Sequence, residues 1–345
     1  MLELATSLVD LTALRDRDQL DLETVAIVKR LSGEDTCSIR LSCRVDDGGD
    51  GRWLTYCHID EGRHDAERDV VSLDVADMPL AGSQPLWQRA CAEGQVVRSH
   101  NGRCLAIFPV GKEVPCHGVL ELETRRPLPD QAQALVAQVL RGYQNLLGLL
   151  DYGEKDTLTE LLNRKTFDNA FLKAAMVQGQ QERLVENERR SPALARNFWL
   201  AVLDIDHFKR VNDNYGHLIG DEVLLLMARL MRKSFRVQDK LYRFGGEEFV
   251  VLMRAPTEND ARVALERFRK LVEAHEFPQV GRITVSIGYS MVRGVDLPSD
   301  AFDRADQAVY HAKGNGRNQV CHYEALVRAG TIAEAAAPAD DVDFF

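Results

Sequence analysis

Short apolar runs separated by turn residues dominate the first third of the chain. Cys37–Val45 (CSIRLSCRV) and Arg52–Ile59 (RWLTYCHI) read as strands on either side of a DDGGDG loop. Leu86–Val97 reads as a short helix ending at Gly94, and Cys104–Val110 and His117–Thr124 as two strands around a turn. A leading helix, a mixed antiparallel sheet and a final long helix predict a small α+β sensory domain. Pro127 and Pro129 close it, and a helix follows over Asp130–Tyr152. Along that helix Ala132, Val136, Val139, Tyr143, Leu146, Leu150 and Gly153 are spaced 4, 3, 4, 3, 4, 3, the seam of a two-stranded coiled coil. The same stripe suits packing on its own domain, and Gly142, Gly148 and Gly153 weaken the helix; parallel dimerisation is the expectation.

Beyond Asp156 the pattern changes. Asn197–Ile205 is an apolar run suited to a buried strand. Ile283–Met291 alternates Ile, Val, Ile, Tyr and Met with Thr, Ser, Gly and Ser, a half-buried strand. Asp221–Phe235 and Glu258–Ala274 read as amphipathic helices. Met176–Asn197 is polar and charge-rich, a helix extension plus loop, and the Ala-rich acidic tail after Arg328 is expected to be disordered.

Composition narrows the function classes. With 43 Lys and Arg against 53 Asp and Glu, the net charge of −10 argues against a nucleic-acid coat, though not against a nucleotide ligand at one basic site. At roughly 150 residues per domain, 345 residues allow about two. No apolar run is long enough to span a bilayer, and the first residues, MLELATSLVD, lack a basic signal region, so a cytoplasmic chain is expected. Seven cysteines, with no CxxC pair and no zinc spacing, read as reduced and mostly buried thiols.

The chemistry concentrates in two places. The apolar strand Asn197–Ile205 runs into two acids in DIDHFKRVND (Asp204–Asp213), followed by Lys209 and Asn212. A second acidic pair, Glu247 and Glu248, follows Gly245 and Gly246 between two strand-like runs, which makes a hairpin. A hairpin beside the first strand would let Asp204 and a hairpin glutamate share a divalent cation. Hard oxygen ligands suit Mg²⁺ or Mn²⁺, whose shells are completed by phosphate oxygens. That is the logic of metal-assisted phosphoryl transfer.

The combination of motifs is specific. RFGGEEF (Arg243–Phe249) is the GGEEF form of the GGDEF signature. DTLTELLNR (Asp156–Arg164), DIDHFKRVNDNYGHLIGDEVL (Asp204–Leu224) and YHAKGNGRN (Tyr310–Asn318) stand in the expected order around it. Asp156–Tyr323 therefore resembles the GGDEF family of diguanylate cyclases. The resemblance implies condensation of two GTP into cyclic di-GMP with release of two pyrophosphates, each chain supplying one GTP half-site of a homodimer. It implies a palm-like, mainly antiparallel central sheet flanked by helices. Carried over residue by residue, Asp204, Glu247 and the backbone carbonyl of Ile205 would bind Mg²⁺ or Mn²⁺. Glu247, or else Glu248, would take the proton of the attacking 3′-hydroxyl, and Lys209 would offset charge on the phosphate. Lys313 and Arg317 would hold the terminal phosphates. Asn212 and Asp221 would read guanine, with Phe208 and His217 bordering the substrate; a carboxylate at 221 favours GTP over ATP. Arg236 and Asp239 (RVQD) match the family's RxxD site, where product cyclic di-GMP inhibits, with Arg267 or Arg269 as candidate partners.

The first domain, over Leu20–Thr124, resembles a GAF domain, including a helix ending in Ala-Glu-Gly and the late GVLELE strand. The expected fold class is thus α+β throughout. Residues 1–128 form a GAF-like sensory domain with an unknown small ligand, 129–155 a coiled-coil linker, 156–325 the GGDEF domain and 326–345 a disordered acidic tail. Two other readings stand beside this one. A non-catalytic cyclic di-GMP receptor would keep RxxD while losing Asp204, Lys209 or GGEEF, and here all are intact. A haem or redox sensor could draw on His58, His64, His100, His117 and the six N-terminal cysteines.

Overall fold

The computed structural model describes the chain except residues 1–10, 46–50, 64, 69–77, 101–102, 112–117, 188–196, 237 and 334–345. It divides into two compact units, Met1–Gly153 and Glu154–Phe345.

In the first unit, helix α1 (Arg17–Ser32) precedes strands β1 (Thr36–Val45), β2 (Arg52–Ile59) and β3 (Glu67–Arg68). Helix α2 (Pro85–Glu93), β4 (Val96–His100), β5 (Arg103–Val110), β6 (Gly118–Thr124) and the long α3 (Asp130–Glu154) complete it. The sheet has the order β3-β2-β1-β6-β5-β4, antiparallel throughout. The period-2 alternation of β1 and β6 sends Ile39, Leu41, Leu120 and Leu122 to the face covered by α1 and α3. Val119, Ile107 and Trp53 go to the other, where Trp87 of α2 meets Trp53 edge to face at 5.2 Å. The mixed antiparallel sheet and its closing helix match the α+β expectation.

The seam of α3 requires a correction. Val136, Val139 and Tyr143 are buried in the core of this same unit, with Ala132, Leu146 and Leu150 packed partly against it. Tyr143 donates a 2.6 Å hydrogen bond to buried Asp21 of α1. The stripe read as a partner seam therefore serves the unit's own interior. The thiol expectation is also corrected at one position. Cys37, Cys57, Cys104 and Cys321 are buried free thiols and Cys43 is a half-buried one, but Cys91 is disulfide-bonded. His64, Cys116 and His117 lie outside the described residues, and His58 pairs with Asp60 at 3.4 Å.

The second unit begins with β7 (Leu162–Asn163) and α4 (Arg164–Asn187), followed by β8 (Asn197–Ile205), α5 (Phe208–Tyr215) and α6 (His217–Ser234). The hairpin β9 (Lys240–Gly245) and β10 (Glu248–Ala255), α7 (Glu258–Ala274) and the short β11 (Glu276–Phe277) and β12 (Gly281–Arg282) come next. It ends with β13 (Val285–Met291), α8 (Pro298–Gly314), β14 (Val320–His322) and α9 (Tyr323–Arg328). The main sheet has the order β14-β13-β8-β10-β9-β7, with β8 antiparallel to both neighbours and only the edge pairs β13–β14 and β7–β9 parallel. This is the mainly antiparallel sheet flanked by helices that the sequence implies. Ala201, Leu203 and Ile205 of β8 pack with α6 and α7, while Leu200 and Val202 pack with Phe171 of α4 and Val309 of α8.

Two boundaries move. The polar stretch after Met176 does extend α4, to Asn187, but residues 188–196 lie outside the described residues. Ordered structure runs past position 326, because α9 continues to Arg328 and Leu326, Val327 and Ile332 pack against Ala308, Ala312 and Tyr323. Apolar side chains at those positions outweigh the acidic tail's composition.

Glycine at 288 has a steric reason. A Cβ there would stand 2.1 Å from the Ala305 carbonyl oxygen and 2.4 Å from the Val309 nitrogen, both backbone atoms of α8. The polar, small-residue side of β13 is thus where α8 lies closest. Gly288→Ala is expected to cost roughly 2–4 kcal/mol by forcing α8 off the sheet. An unchanged midpoint in thermal unfolding would refute that.

Candidate active site

The central strand decides the site. β8 is flanked on both sides by antiparallel partners, so the register is fixed by its buried faces. That register sets Asp204 level with Glu248 on β10 and with Ser286 on β13. The β9–β10 turn closes over Gly246, whose φ of +50° lies in the left-handed region that glycine adopts without penalty. Arg243 braces this turn, donating to the Gly246 carbonyl at 2.9 and 3.2 Å while pairing with Asp156 at 3.1 Å. Asp156 also accepts from the backbone and hydroxyl of Thr159 at 2.8 and 2.7 Å. Burial alone would raise its pKa, but the Thr159 and Arg243 hydrogen bonds hold it below the usual carboxylate range. The opening DTLT motif thereby anchors the glycine-rich turn.

Carboxylates crowd this end of the sheet. Asp204 is only 7% exposed, and burial raises its pKa, with Lys313 opposing and Asp206 and Asp306 adding to the rise. Glu247 and Glu248 are raised as well, first by burial and next by Asp204. Lys313, in the last turn of α8, reaches Asp204 Oδ2 at 2.7 Å. The second oxygen, Oδ1, is buried with no hydrogen-bond partner. An unmatched carboxylate oxygen among mutually repelling acids suits a hard dication. Among the described residues no three His, Cys, Asp or Glu side chains already form a metal-ligating group. A cation here would take two carboxylates, the Ile205 carbonyl and oxygens from a ligand, the coordination Mg²⁺ prefers.

Two consecutive helices follow β8. His207 (φ +60°) turns the chain from β8 into α5, and Gly216 (φ +82°) separates α5 from α6. The second helix begins at His217, four residues before the expected Asp221, because Gly216 provides the break. Phe208 is buried beneath α5; Asn212 is half-buried; Lys209, His217 and Asp221 are exposed. Gly220 lets Asn212 lie flat on α6, since a Cβ at 220 would fall 2.0 Å from Asn212 Oδ1. Arg317 is exposed on the turn after α8, its backbone left-handed at φ +63°. The structure thus brings Asp204, Glu247, Glu248 and Lys313 together, with Asn212 and Asp221 on facing helices nearby in sequence.

Arg236 and Asp239 belong elsewhere, at the far end of β9, about 20 Å along the strand from the glycine turn. Asp239 accepts from the backbone nitrogens of Arg236 at 2.9 Å and Arg254 at 3.4 Å. Burial pushes its pKa up to about 6, against the pull of those hydrogen bonds and of Arg236 and Arg267. The two candidate partner arginines separate here. Arg267 lies in the field of Asp239 and donates to the Ser234 carbonyl at 2.5 Å. Arg269 is held by Glu266, Glu273 and Asn318.

Sequence reasoning missed three contributors. Arg164 lies 5.6 Å above the Phe244 ring and within the field of Glu248. Asp306, two turns before Lys313 on α8, adds to the acidity around Asp204. Asp206, the second acid of the DID motif, is buried and hydrogen-bonded to Thr284, Ser286 and Asn318. Its place in the same motif as Asp204 was the available signal.

Comparison with known proteins identifies the domain that carries these residues. Residues 154–319 match the family model described as "Diguanylate cyclase, GGDEF domain". The chain is 45% identical over 142 residues to diguanylate cyclase DgcP of Pseudomonas aeruginosa, covering 40% of this chain and 21% of that protein. It is 38% identical over 166 residues to diguanylate cyclase DgcM of Escherichia coli, covering 48% and 37%. It is 37% identical over 316 residues to response regulator PleD of Caulobacter vibrioides, covering 79% and 66%. The chain thus spans well under half the length of DgcP and DgcM.

The raised pKa of Asp239 has a definite sign in stability. The folded group titrates near 6, whereas an unfolded aspartate titrates near about 3.9. Its stabilising contribution is full below the lower value and is lost as pH rises through the upper one. Relative to Asp239→Asn, the wild type is expected to lose on the order of 2 kcal/mol of unfolding free energy between about pH 4 and 7. Denaturant unfolding across that range checks it, and parallel profiles for the two proteins would overturn it.

Proposed function

Residues 154–319 are a GGDEF domain of the diguanylate cyclase family, and from that premise we propose that the protein condenses two GTP into cyclic di-GMP and two pyrophosphates. The observation that carries this reading is the acid cluster at the end of β8, where Asp204 Oδ1 lacks a partner while Lys313 holds Oδ2. In each of two identical half-reactions a 3′-oxygen bonds to the α-phosphorus of the opposite GTP, and the bond to the pyrophosphate oxygen breaks. The hydroxyl proton passes to Glu247, or to Glu248 beside it. Each chain supplies one half-site, so the productive form is a homodimer.

Asp204, Glu247 and the Ile205 carbonyl would hold Mg²⁺ or Mn²⁺, which when bound neutralises phosphate charge. Lys209 stabilises charge growing on the phosphate, and Lys313 and Arg317 bind the terminal phosphates. Asn212 offers both an amide donor and a carbonyl acceptor to guanine. Asp221 accepts from guanine N1–H and the exocyclic amine, an edge adenine lacks. Phe208 supports these helices from beneath, and His217 borders the base.

Arg236 and Asp239, with Arg267 nearby, form the inhibitory site for product. Guanidinium groups there can stack on guanine and fork to phosphate. The first unit is read as a GAF-like regulatory domain that biases the population of productive dimers in response to a small ligand. No helix among the described residues is long and apolar enough to cross a membrane.

Incubating the full chain with GTP and Mg²⁺, and quantifying cyclic di-GMP and pyrophosphate over time, tests the reading. Product is expected in a 1:2 ratio to pyrophosphate and is expected to stall. Arg236→Ala should remove the stall, and Glu247→Ala should lower the rate at least about a hundredfold. No turnover in either protein, with cyclic di-GMP bound by the full chain and lost in Arg236→Ala, would favour a non-catalytic receptor instead.

A further inference from the structure

The two acids of the DID motif differ in what surrounds them. Asp204 keeps one buried oxygen unpartnered. Asp206, 5% exposed, has both oxygens engaged by protein donors. Thr284 Oγ1 reaches its Oδ2 at 2.7 Å, Asn318 N reaches the same oxygen at 3.0 Å, and Ser286 Oγ reaches Oδ1 at 2.7 Å. Its own backbone nitrogen donates to the Thr284 carbonyl at 2.9 Å.

The Asn318 bond is the informative one. It joins residues 112 apart, from the turn after β8 to the end of the GNGRN segment. That segment is held in an unfavourable shape: Gly316, Arg317 and Asn318 have φ of +103°, +63° and +46° in succession. Two consecutive residues with side chains in the left-handed region do not stay there without outside restraint. The restraints are visible. Arg317 N returns to the Ala312 carbonyl at 2.9 Å, closing the helix end. Asn318 is gripped three ways: at its backbone by Asp206, at its amide oxygen by Arg269 at 2.7 Å, and at its amide nitrogen by Glu273 at 2.7 Å.

The geometry points to Asp206 and Arg269 as positioning residues that hold the GNGRN turn against the β8 end, so that Arg317 is presented to the phosphates of the substrate. Asp206 therefore acts on substrate binding and not as a metal ligand, although it stands two positions from Asp204. The phosphate role of Arg317 rests on the cyclase reading; the clamp on the turn does not.

Asp206→Asn and Arg269→Gln in the full chain test this. An asparagine can keep its oxygen toward Thr284 and Asn318 and turn its amide toward the Ser286 hydroxyl, so the shape is retained and the charge is lost. Amide hydrogen exchange over Gly314–Asn318 is expected to speed up about tenfold in either variant, as a charge-assisted bond weakens. The KM for GTP should rise about tenfold with kcat little changed, and the Mg²⁺ concentration for half activation should stay the same. A shifted Mg²⁺ requirement with unchanged exchange would make Asp206 a metal ligand and overturn the clamp. Unchanged exchange in both variants would overturn it equally. Should Asp206→Asn fail to fold, Arg269→Gln carries the test. A wild type without turnover would defeat the cyclase reading, and the exchange rates would still decide the clamp.

Discussion

The molecule's chemistry depends on one electrostatic constraint: Asp204 must stay largely buried at the end of a strand whose neighbours carry further acids. The antiparallel register leaves no freedom here, because a one-residue slip of β8 would turn its whole apolar set from one sheet face to the other. With Leu203 and Val202 committed to opposite cores, Asp204 has to sit level with Glu248. Burial first, and repulsion between neighbouring acids after it, raises the pKa values of Asp204, Glu247 and Glu248 together. A single lysine, Lys313, offsets part of it. Neutralisation by hard cations is the chemistry such a cluster favours.

Around that cluster the protein uses local backbone strain where a flexible loop would lose precision. His207, Gly246 and the Gly316–Asn318 run all have positive φ, and all lie at the same end of the sheet. Gly246 and the Gly316–Asn318 run are each braced by a side chain from outside the turn. Arg243 ties the Gly246 carbonyl to Asp156, and Asp206 ties the Asn318 nitrogen to the β8 turn. The sites are thus assembled from short turns, but their positions are set by buried charged groups on the scaffold.

Much of this was legible from residues alone. The strand that carries Asp204, the hairpin around Gly245 and Gly246, and a helix from Asp221 follow from periodicity and turn chemistry, whereas the helix over Asn212 did not. Other features were not, for physical reasons. A helix advances about 100° per residue, so Arg267 and Arg269 project about 200° apart. Only the packing of α7 decides that the first lies near Asp239 and the second holds Asn318. Asp206 received no role from the sequence, because a sequence does not show which donors converge on a carboxylate. The residues after 326 looked like tail because acidic composition masked three apolar side chains with a ready surface to cover.

The long helix α3 shows the limit of periodicity most clearly. A 4-3 apolar spacing states only that one stripe is to be buried, not what buries it. Here Val136, Val139, Leu140 and Tyr143 complete the first unit's core, and Tyr143 is further fixed by Asp21. What remains open is the C-terminal part, where Leu149 is 70% and Tyr152 84% exposed. Fewer than two turns of exposed apolar surface lie well below the roughly three or four heptads that sustain a coiled coil by themselves. Any self-association through this helix must therefore draw on surface beyond its own seam.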